Sequence, residues 1–367
     1  MLESIKEIVP LSYLFMFVIA SLFSGFLNFL FLRFSLNLGR RDVTENEQIR
    51  WATTTKPAWG GISFFIVFLM TMSILPLFIE QNLFLNWKLL GLIGAVTIGF
   101  LVGFADDIYN TNPLVKFIGQ FACANILIIF GFSIPVTPIA EINYFITTLW
   151  IVGLMNSVNM LDNMDAITAS ISLNIIIGGL ILIALSGVFF THILTIPMLG
   201  VAGALAGFLY YNWNPSKMYM GDSGSQFLGV FLAAISIELF WGVKASPDSY
   251  FEFIQFVLPA LLFIVPLIDT TTVTIRRLAK RQSPFVGGRD HITHHFVYLG
   301  MNEKQVAIAL NFISFLSVIY VYLFATYYPE SWKPLYTFLS LGYFLAVFVI
   351  IQILYNIAKK KNARLNS

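Results

Sequence analysis

The chain has 367 residues, of which 58% are apolar and only 11% are charged, and its formal net charge is +2. This composition excludes an ordinary soluble globular protein and gives no reason to expect a nucleic-acid partner. The single cysteine, Cys123, excludes a disulfide framework and a thiolate metal cluster.

Eleven apolar segments follow one another along the chain, each long enough to cross a bilayer core of about 30 Å as a helix. They lack the period-two alternation of barrel strands. We therefore predict an all-α fold, a polytopic transmembrane helical bundle that forms one integral membrane domain over residues 1–367. The predicted spans are 11–32, 61–79, 89–105, 114–131, 143–160, 171–190, 193–211, 224–241, 254–275, 305–327 and 335–356.

The basic residues are distributed unevenly between the two sets of alternating loops. One set holds only Lys6, Lys88, Lys244 and Lys333, and the other holds the remaining 17 of the 21 Lys and Arg residues. Because basic residues near span ends stay in the cytoplasm, the N-terminus is predicted outside and the C-terminus inside. The polar loops then fall on the cytoplasmic face, at 33–60, 106–116, 156–168, 212–225 and 276–304.

Two adjacent carboxylates, Asp106 and Asp107, end the third predicted span. Ionised groups beside a hydrocarbon-length segment are costly unless water or a ligand reaches them, so the pair indicates a functional site. Lys116 follows at the start of the next span, where it can neutralise the aspartates or hold a phosphate. A lysine that merely extends from a helix end to the interface is the structural alternative.

Carboxylate and carboxamide side chains crowd the end of the fifth span. Asn156, Asn159 and Asn163 recur at helical spacing, and Asp162 and Asp165 lie among them. Such oxygen ligands suit Mg²⁺, which usually keeps substrate phosphates in its coordination shell. A solvated helix end explains why this segment is polar, but not why five carboxylate or carboxamide side chains lie within ten residues. We therefore predict a metal and phosphate site.

The segment Met220-Gly-Asp222-Ser-Gly-Ser225 precedes the eighth span. Small residues around one carboxylate give a tight, exposed backbone at the mouth of the span, where Asp222 is a natural metal ligand. A plain turn would use the same residues, so this segment indicates a metal site only in combination with the other motifs.

Three of the four histidines, His291, His294 and His295, lie within five residues. On a helix they share one face, with Asp290 placed to cap its N-terminus. Three imidazoles can bind Zn²⁺. The His-Glu-x-x-His pattern is absent, however, and neighbouring arginines such as Arg289 oppose a cation. We therefore predict that this segment holds a phosphate.

In this order, Asp106-Asp107, Asn156 to Asp165, Gly221 to Ser225 and His291-Ile-Thr-His-His295 resemble the motifs of the polyprenyl-phosphate N-acetylhexosamine-1-phosphate transferases. The resemblance runs from about Lys56 to His295. It implies a membrane enzyme that transfers a sugar-1-phosphate, expected to be N-acetylglucosamine-1-phosphate, from the UDP-sugar to undecaprenyl phosphate and releases UMP. It further implies a requirement for Mg²⁺ or Mn²⁺.

The same resemblance implies a place in the cell. The enzyme would lie in the bacterial cytoplasmic membrane with its active site facing the cytoplasm, and its product would initiate a cell-envelope polysaccharide. The histidine segment looks more like the branch that initiates O-antigen of lipopolysaccharide, enterobacterial common antigen or teichoic acid linkage than the muramoyl-pentapeptide branch. A homodimer is left open.

The resemblance also implies roles for individual residues. Asp222 and Asn159 would bind Mg²⁺, and Asp106 and Asp107 would join Asp222 as catalytic carboxylates beside the acceptor phosphate. Lys116 would bind that phosphate. The remaining substrate-binding residues would be Asn156, Asp162, Asn163, Asp165 (facing the uracil), Arg276, Arg289, His291, His294 and His295.

The chain departs from the family pattern at three places. Asn163 and Ala166 stand where the family usually has glycine, and Ala58-Trp59 stands where it has a basic residue. The donor preference therefore cannot be copied from the family. Three alternatives remain, namely a phospho-N-acetylmuramoyl-pentapeptide transferase, an inactive scaffold, and a secondary transporter in which the aspartates relay protons. Transporters place polar groups near the midplane and often contain inverted repeats, which this sequence does not indicate.

Overall fold

The computed structural model describes residues 2–35, 56–77, 86–243, 252–283, 288–327 and 333–365. Most of the predicted loop 33–60, and residues 284–287 of the loop 276–304, lie outside the described residues. Within the described ranges the structure contains thirteen α-helices and no strand, which confirms the all-α prediction. The helices are α1 (Leu2–Ser35), α2 (Gly60–Ile74), α3 (Trp87–Tyr109), α4 (Pro113–Ile129), α5 (Ala140–Leu161), α6 (Ile167–Leu185), α7 (Thr195–Asn212), α8 (Gly221–Leu239), α9 (Phe253–Leu262), α10 (Ile264–Ala279), α11 (Ile292–Tyr298), α12 (Glu303–Tyr327) and α13 (Pro334–Leu365).

Seven of the described helices are long and apolar enough to cross a membrane: α1, α2, α3, α5, α6, α12 and α13. Helices α9 and α10 meet at 84° and would together make an eighth span. The other three predicted spans are helical as α4, α7 and α8. The protein is therefore a multi-pass membrane protein. The count of eleven, the orientation and the single-domain assignment stay predictions.

Helix α8 forms the centre of the bundle. All its residues from Ser223 to Ile237 are buried, and α2, α3, α5 and α6 pack around it. A Cβ atom on Gly103 of α3 would lie 2.1 Å from the carbonyl oxygen of Asp222, and one on Gly61 of α2 would lie 2.2 Å from the Gly224 nitrogen. Only glycine lets these two helices approach the first turn of α8 so closely.

Local sequence places the end of α3 beside the start of α4. Asn110 closes α3 in the left-handed conformation, with φ of 49°, which Asn tolerates better than most residues. The Asn112 side chain accepts a hydrogen bond from the Leu114 amide and caps α4. Pro113 takes the first helical position, where no N–H donor is required.

The break between α9 and α10 has a similar local cause. Pro266 lacks the N–H that would bond the carbonyl of Leu262, and its ring would clash with that carbonyl in a continuous helix. The chain therefore turns at Phe263, between the two helices. The turn carries α10 into the bundle, where Asp269 is completely buried.

Candidate active site

A single lysine joins the ends of four helices. Nζ of Lys116, in the first turn of α4, lies 3.2 Å from Asp106 Oδ2, 3.0 Å from Asp222 Oδ2 and 3.3 Å from Asn159 Oδ1. Asp106 and Asn159 lie near the C-terminal ends of α3 and α5, and Asp222 lies in the first turn of α8. We refer to these four residues and Asp107 as the carboxylate cluster.

Both carboxylate oxygens of Asp222 have partners. Lys116 donates to Oδ2, and Asn159 Nδ2 donates to Oδ1 at 2.6 Å and to Ser225 Oγ at 2.8 Å. The cluster contains three carboxyl groups but only one ammonium group, which contacts Asp106 and Asp222. This excess of acidic groups favours the binding of a further cation, because opposite charges at such distances attract strongly away from bulk water.

The two adjacent aspartates point to different partners. Asp106 Oδ1 accepts hydrogen bonds from the Thr111 amide at 2.9 Å and the Thr111 hydroxyl at 2.6 Å, while its Oδ2 faces Lys116. Asp107 instead accepts from the backbone amides of Asp222 and Ser223, at 2.8 and 2.9 Å. Asp107 thus binds the N-terminal turn of α8, where a negative charge complements the unpaired amides and the helix dipole.

A carboxamide layer lies beneath the cluster. Asn156 and Gln120 exchange hydrogen bonds at 2.9 and 3.2 Å, and Gln120 Nε2 also donates to Gln226 Oε1 at 3.1 Å. Gln120 therefore ties α4 to α5 and α8. Sequence reasoning missed Gln120, although its position four residues after Lys116 places it on the same face of α4.

The loop after α5 is anchored through Asp165. Its two oxygens accept from the Ser216 hydroxyl at 2.7 Å and the Ser216 amide at 2.9 Å, and Asn214 Nδ2 donates at 3.1 Å. Lys56 Nζ lies 3.8 Å away. The carboxylate predicted to face a uracil is thus bonded to the loop between α7 and α8.

Asp162 lies between this anchor and the carboxylate cluster. Burial raises the pKa of Asp162 to about 8, and the nearby carboxylates of Asp222, Asp107 and Asp165 add to the effect. Such a carboxyl group retains a proton near neutral pH unless a cation approaches.

Asn163 and Ala166, the two departures from glycine, occupy distinct environments. Asn163 Oδ1 accepts from the Thr293 hydroxyl at 2.6 Å, which ties the loop after α5 to α11. Ala166 adopts φ of 66°, a left-handed conformation that glycine adopts without strain. Its amide donates to Asn212 Oδ1 at 3.0 Å, which holds the turn.

We refer to residues 288–298, which include α11, as the histidine segment. His291, at the N-cap of α11, lies with Nδ1 2.8 Å from Asp269 Oδ2. Asp290 does not cap the helix, because it forms two hydrogen bonds with Arg277, at 2.6 and 2.8 Å. This paired arginine lowers the pKa of Asp290 despite the opposing effect of burial. The predicted cap is therefore replaced by a salt bridge to α10.

His295 belongs to a stack of three side chains. Its ring lies parallel to that of Tyr355 with centroids 3.5 Å apart, and the Arg276 guanidinium lies 3.7 Å from the Tyr355 centroid. Two groups this close to one ring centre must occupy its opposite faces. The His291 carbonyl accepts from His295 Nδ1 at 3.0 Å. Arg276 also bonds Gln352 and Asn356, so α13 supports the histidine segment.

The other members of this segment differ in exposure. His294 is buried, whereas Arg289 is exposed. Burial lowers the pKa of His294 to about 3 and that of His295 to about 4. These two imidazoles are neutral near pH 7, so neither of them offers a positive charge to a phosphate. Among the described residues, no group of three Asp, Glu, His or Cys side chains is arranged to hold a metal ion, so the zinc alternative gains no support.

Comparisons with known proteins place these motifs in context. A profile described as glycosyl transferase family 4 matches residues 89–240. The chain is 29% identical over 293 residues to a Bacillus subtilis protein named probable undecaprenyl-phosphate N-acetylglucosaminyl 1-phosphate transferase, covering 77% of each. It is 27% identical over 286 residues to the decaprenyl-phosphate N-acetylglucosaminephosphotransferase of Mycobacterium tuberculosis, covering 70% of this chain and 69% of that protein. It is 30% identical over 296 residues to the phospho-N-acetylmuramoyl-pentapeptide-transferase of Staphylococcus carnosus, covering 74% of this chain and 85% of that protein.

Proposed function

Because the chain belongs to glycosyl transferase family 4, we propose that it transfers an N-acetylhexosamine-1-phosphate from a UDP-sugar to a polyprenyl phosphate. The observation that supports this most directly is the convergence of Asp106, Asp222 and Asn159 on Lys116. Phosphoryl transfer depends on neutralising and aligning phosphates, and the cluster supplies a fixed ammonium group among oxygen ligands.

The proposal extends to the details that the resemblance implies. The donor is UDP-N-acetylglucosamine, the acceptor is undecaprenyl phosphate, and the product initiates a cell-envelope polysaccharide such as O-antigen. The carboxylate cluster faces the cytoplasm from a bacterial inner membrane, and the enzyme acts as a monomer or a homodimer. The relatives named for N-acetylglucosamine and for undecaprenyl or decaprenyl phosphate support the choice of donor and acceptor.

Mg²⁺, or Mn²⁺ in its place, is the proposed cofactor. Asp222 and Asn159 would hold it, because their oxygens already surround a cation in the form of the Lys116 ammonium group. Since the described acidic and histidine side chains do not form a three-ligand site, substrate phosphates would complete the coordination shell. When bound, the metal would neutralise negative charge on those phosphates.

The proposed reaction is a single displacement. An oxygen of the acceptor phosphate attacks the donor phosphorus that bears the sugar, and the bond from that phosphorus to the oxygen bridging towards the uridylyl group breaks. UMP leaves with the electron pair. A phosphate acceptor is largely ionised near pH 7, so Asp106 needs only to orient it or remove a residual proton. Lys116 binds the negatively charged acceptor phosphate.

The function is tested with purified protein in detergent, UDP-N-acetylglucosamine, undecaprenyl phosphate and Mg²⁺. We expect stoichiometric UMP and lipid-linked sugar, and no product with EDTA. Substrate uptake into vesicles without UMP release would instead establish a transporter. Trapping of a phosphorylated protein with donor alone would replace the single displacement by a route through an aspartyl phosphate.

The Staphylococcus carnosus relative supports a second candidate, a phospho-N-acetylmuramoyl-pentapeptide transferase. The same assay with UDP-N-acetylmuramoyl-pentapeptide separates the two. A ratio of kcat/KM that favours the pentapeptide donor would replace our choice of sugar while leaving the class of reaction unchanged.

A further inference from the structure

Asp269 is a buried carboxylate to which the proposed reaction assigns no role. It lies on α10, is 0% exposed, and both of its oxygens are bonded to the histidine segment. Oδ2 lies 2.8 Å from His291 Nδ1, and Oδ1 accepts from the Ile292 amide at 2.8 Å. The contact joins residues that are 22 positions apart in the chain.

A structural role alone does not explain an acidic side chain here. The Ile292 amide begins α11, and a neutral Asn or Ser would satisfy it as well as Asp does. Removing a carboxylate from water is costly unless its partners are well placed. The feature that specifically requires a carboxylate is the ring nitrogen of His291, because a carboxylate oxygen only accepts and thus keeps a proton on Nδ1.

We propose that Asp269 is a positioning residue that fixes the orientation and tautomer of His291, leaving Nε2 as the ring nitrogen that meets the UDP-sugar donor. The arrangement is the one in which an acidic partner orients an imidazole through one nitrogen while the other nitrogen acts. This inference rests on the proposed function, and it adds a residue that the sequence motifs do not include.

The neighbours of His291 are the reason for assigning its imidazole to the UDP-sugar donor rather than to the acceptor phosphate. Thr293, two residues later on α11, is bonded to Asn163 in the loop that also contains Asp162 and Asp165. That loop is the one predicted to contact the uridine part of the donor. The acceptor phosphate is assigned to Lys116 and Asp106, which belong to the carboxylate cluster.

The decisive variant is Asp269→Asn. Its carboxamide oxygen can still accept from the Ile292 amide, while its NH₂ group, turned to His291 Nδ1, forces the imidazole proton onto Nε2. We expect the KM for the UDP-sugar to rise about 10-fold, as loss of an orienting partner commonly does. The KM for polyprenyl phosphate should stay within about twofold, since the carboxylate cluster is unchanged.

A double-mutant cycle shows whether Asp269 acts through His291. In a His291→Ala background, Asp269→Asn should have no further effect on the donor KM, because the imidazole that it orients is absent. Asp290→Asn is the matched control. It removes a carboxylate of the same segment whose partner is Arg277, so its effect should persist in the His291→Ala background.

Three results overturn the inference. One is an unchanged donor KM in Asp269→Asn, and another is the same loss with and without His291. If Asp269→Asn does not fold, Asp269→Ser, whose hydroxyl is a good N-terminal cap, replaces it, and a wild-type donor KM in that variant also refutes the proposal. An inactive wild-type protein refutes the proposed function and this inference together, whereas an active wild type with any of these three results refutes the inference alone.

Discussion

The carboxylate cluster and the histidine segment both contain several ionisable groups, but they differ in how the acidic groups are paired with basic ones. In the cluster, Asp106 and Asp222 share the single ammonium group of Lys116, and Asp107 accepts hydrogen bonds from backbone amides of α8. In the histidine segment, Arg277 is paired with Asp290 and His291 with Asp269. The first region therefore has more acidic than basic groups, whereas in the second each of these two carboxylates has its own basic partner.

This difference follows from where each region is built. The cluster lies at helix ends, and the Asp222 side chain retains 33% exposure, so ligands can reach it. The histidine segment is packed against α13 and α12 and is bonded to Asp269 and Arg277 of α10, where an unpaired charge would be costly. We therefore expect substitutions in the cluster to affect chemistry and substitutions in the histidine segment to affect binding and stability.

The largest effect should come from Asp222→Ala. It removes a carboxylate that faces both Lys116 and Asn159, and we expect turnover to fall about 1,000-fold together with the response to Mg²⁺.

Asp106→Asn should lower turnover while donor binding, measured by equilibrium dialysis, survives. If Asp106→Asn instead abolished Mg²⁺ binding, the metal would belong to the adjacent aspartates rather than to Asp222.

Asp107→Asn should have a smaller and different effect. Asp107 contacts backbone amides at the start of α8, so its loss should displace Asp222 without removing it. We expect about 10-fold lower activity at limiting Mg²⁺, with recovery at high Mg²⁺, and a loss of about 1 kcal/mol in the free energy of unfolding. Amide exchange at Asp222 and Ser223 should become faster.

The comparison with Asp106→Asn controls for the loss of one carboxylate. Asp106 does not contact the α8 backbone in the described hydrogen bonds, so amide exchange at Ser223 should remain slow in that variant. An activity loss in Asp107→Asn that no Mg²⁺ concentration reverses would show that Asp107 takes part in the chemistry directly.

The hydrogen bond between Asn163 and Thr293 links the loop after α5 to the histidine segment and should contribute about 1 kcal/mol. Asn163→Ala and Thr293→Val, measured singly and together by unfolding in detergent, should show a coupling energy of that size. Additive effects would mean that the loop after α5 and α11 are energetically independent. Ser170→Ala, in the following helix, serves as a control that should add to Thr293→Val without coupling.

The smallest effect concerns pH. An unfolded histidine has a pKa of about 6.5, whereas burial lowers that of His295 to about 4. Between these values the unfolded chain binds more protons, so stability is complete above about pH 6.5 and declines as the pH falls. In His295→Gln, the slope of the free energy of unfolding against pH should decrease by the amount that corresponds to the binding of roughly one proton. An unchanged slope would indicate that His295 is protonated in the folded protein.

The sequence by itself determined the membrane class, the helical fold and the segments in which polar residues collect. Long apolar runs have few physical solutions in a bilayer, and charges near them stand out for that reason. The helices also begin and end where local signals place them, such as Asn112 and Pro113 at the start of α4. These features depend on residues that are close together in the chain, and they can therefore be predicted from the sequence.

Only the tertiary structure decided what each polar residue contacts. Asp106 and Asp107 are adjacent and chemically identical, yet one faces Lys116 and the other binds amides of α8, 115 and 116 positions away. Gln120 and Asp269 have no motif of their own, and their roles follow from partners on other helices. Hydrogen bonding depends on direction and on distances of about 3 Å, which are fixed only when the helices pack.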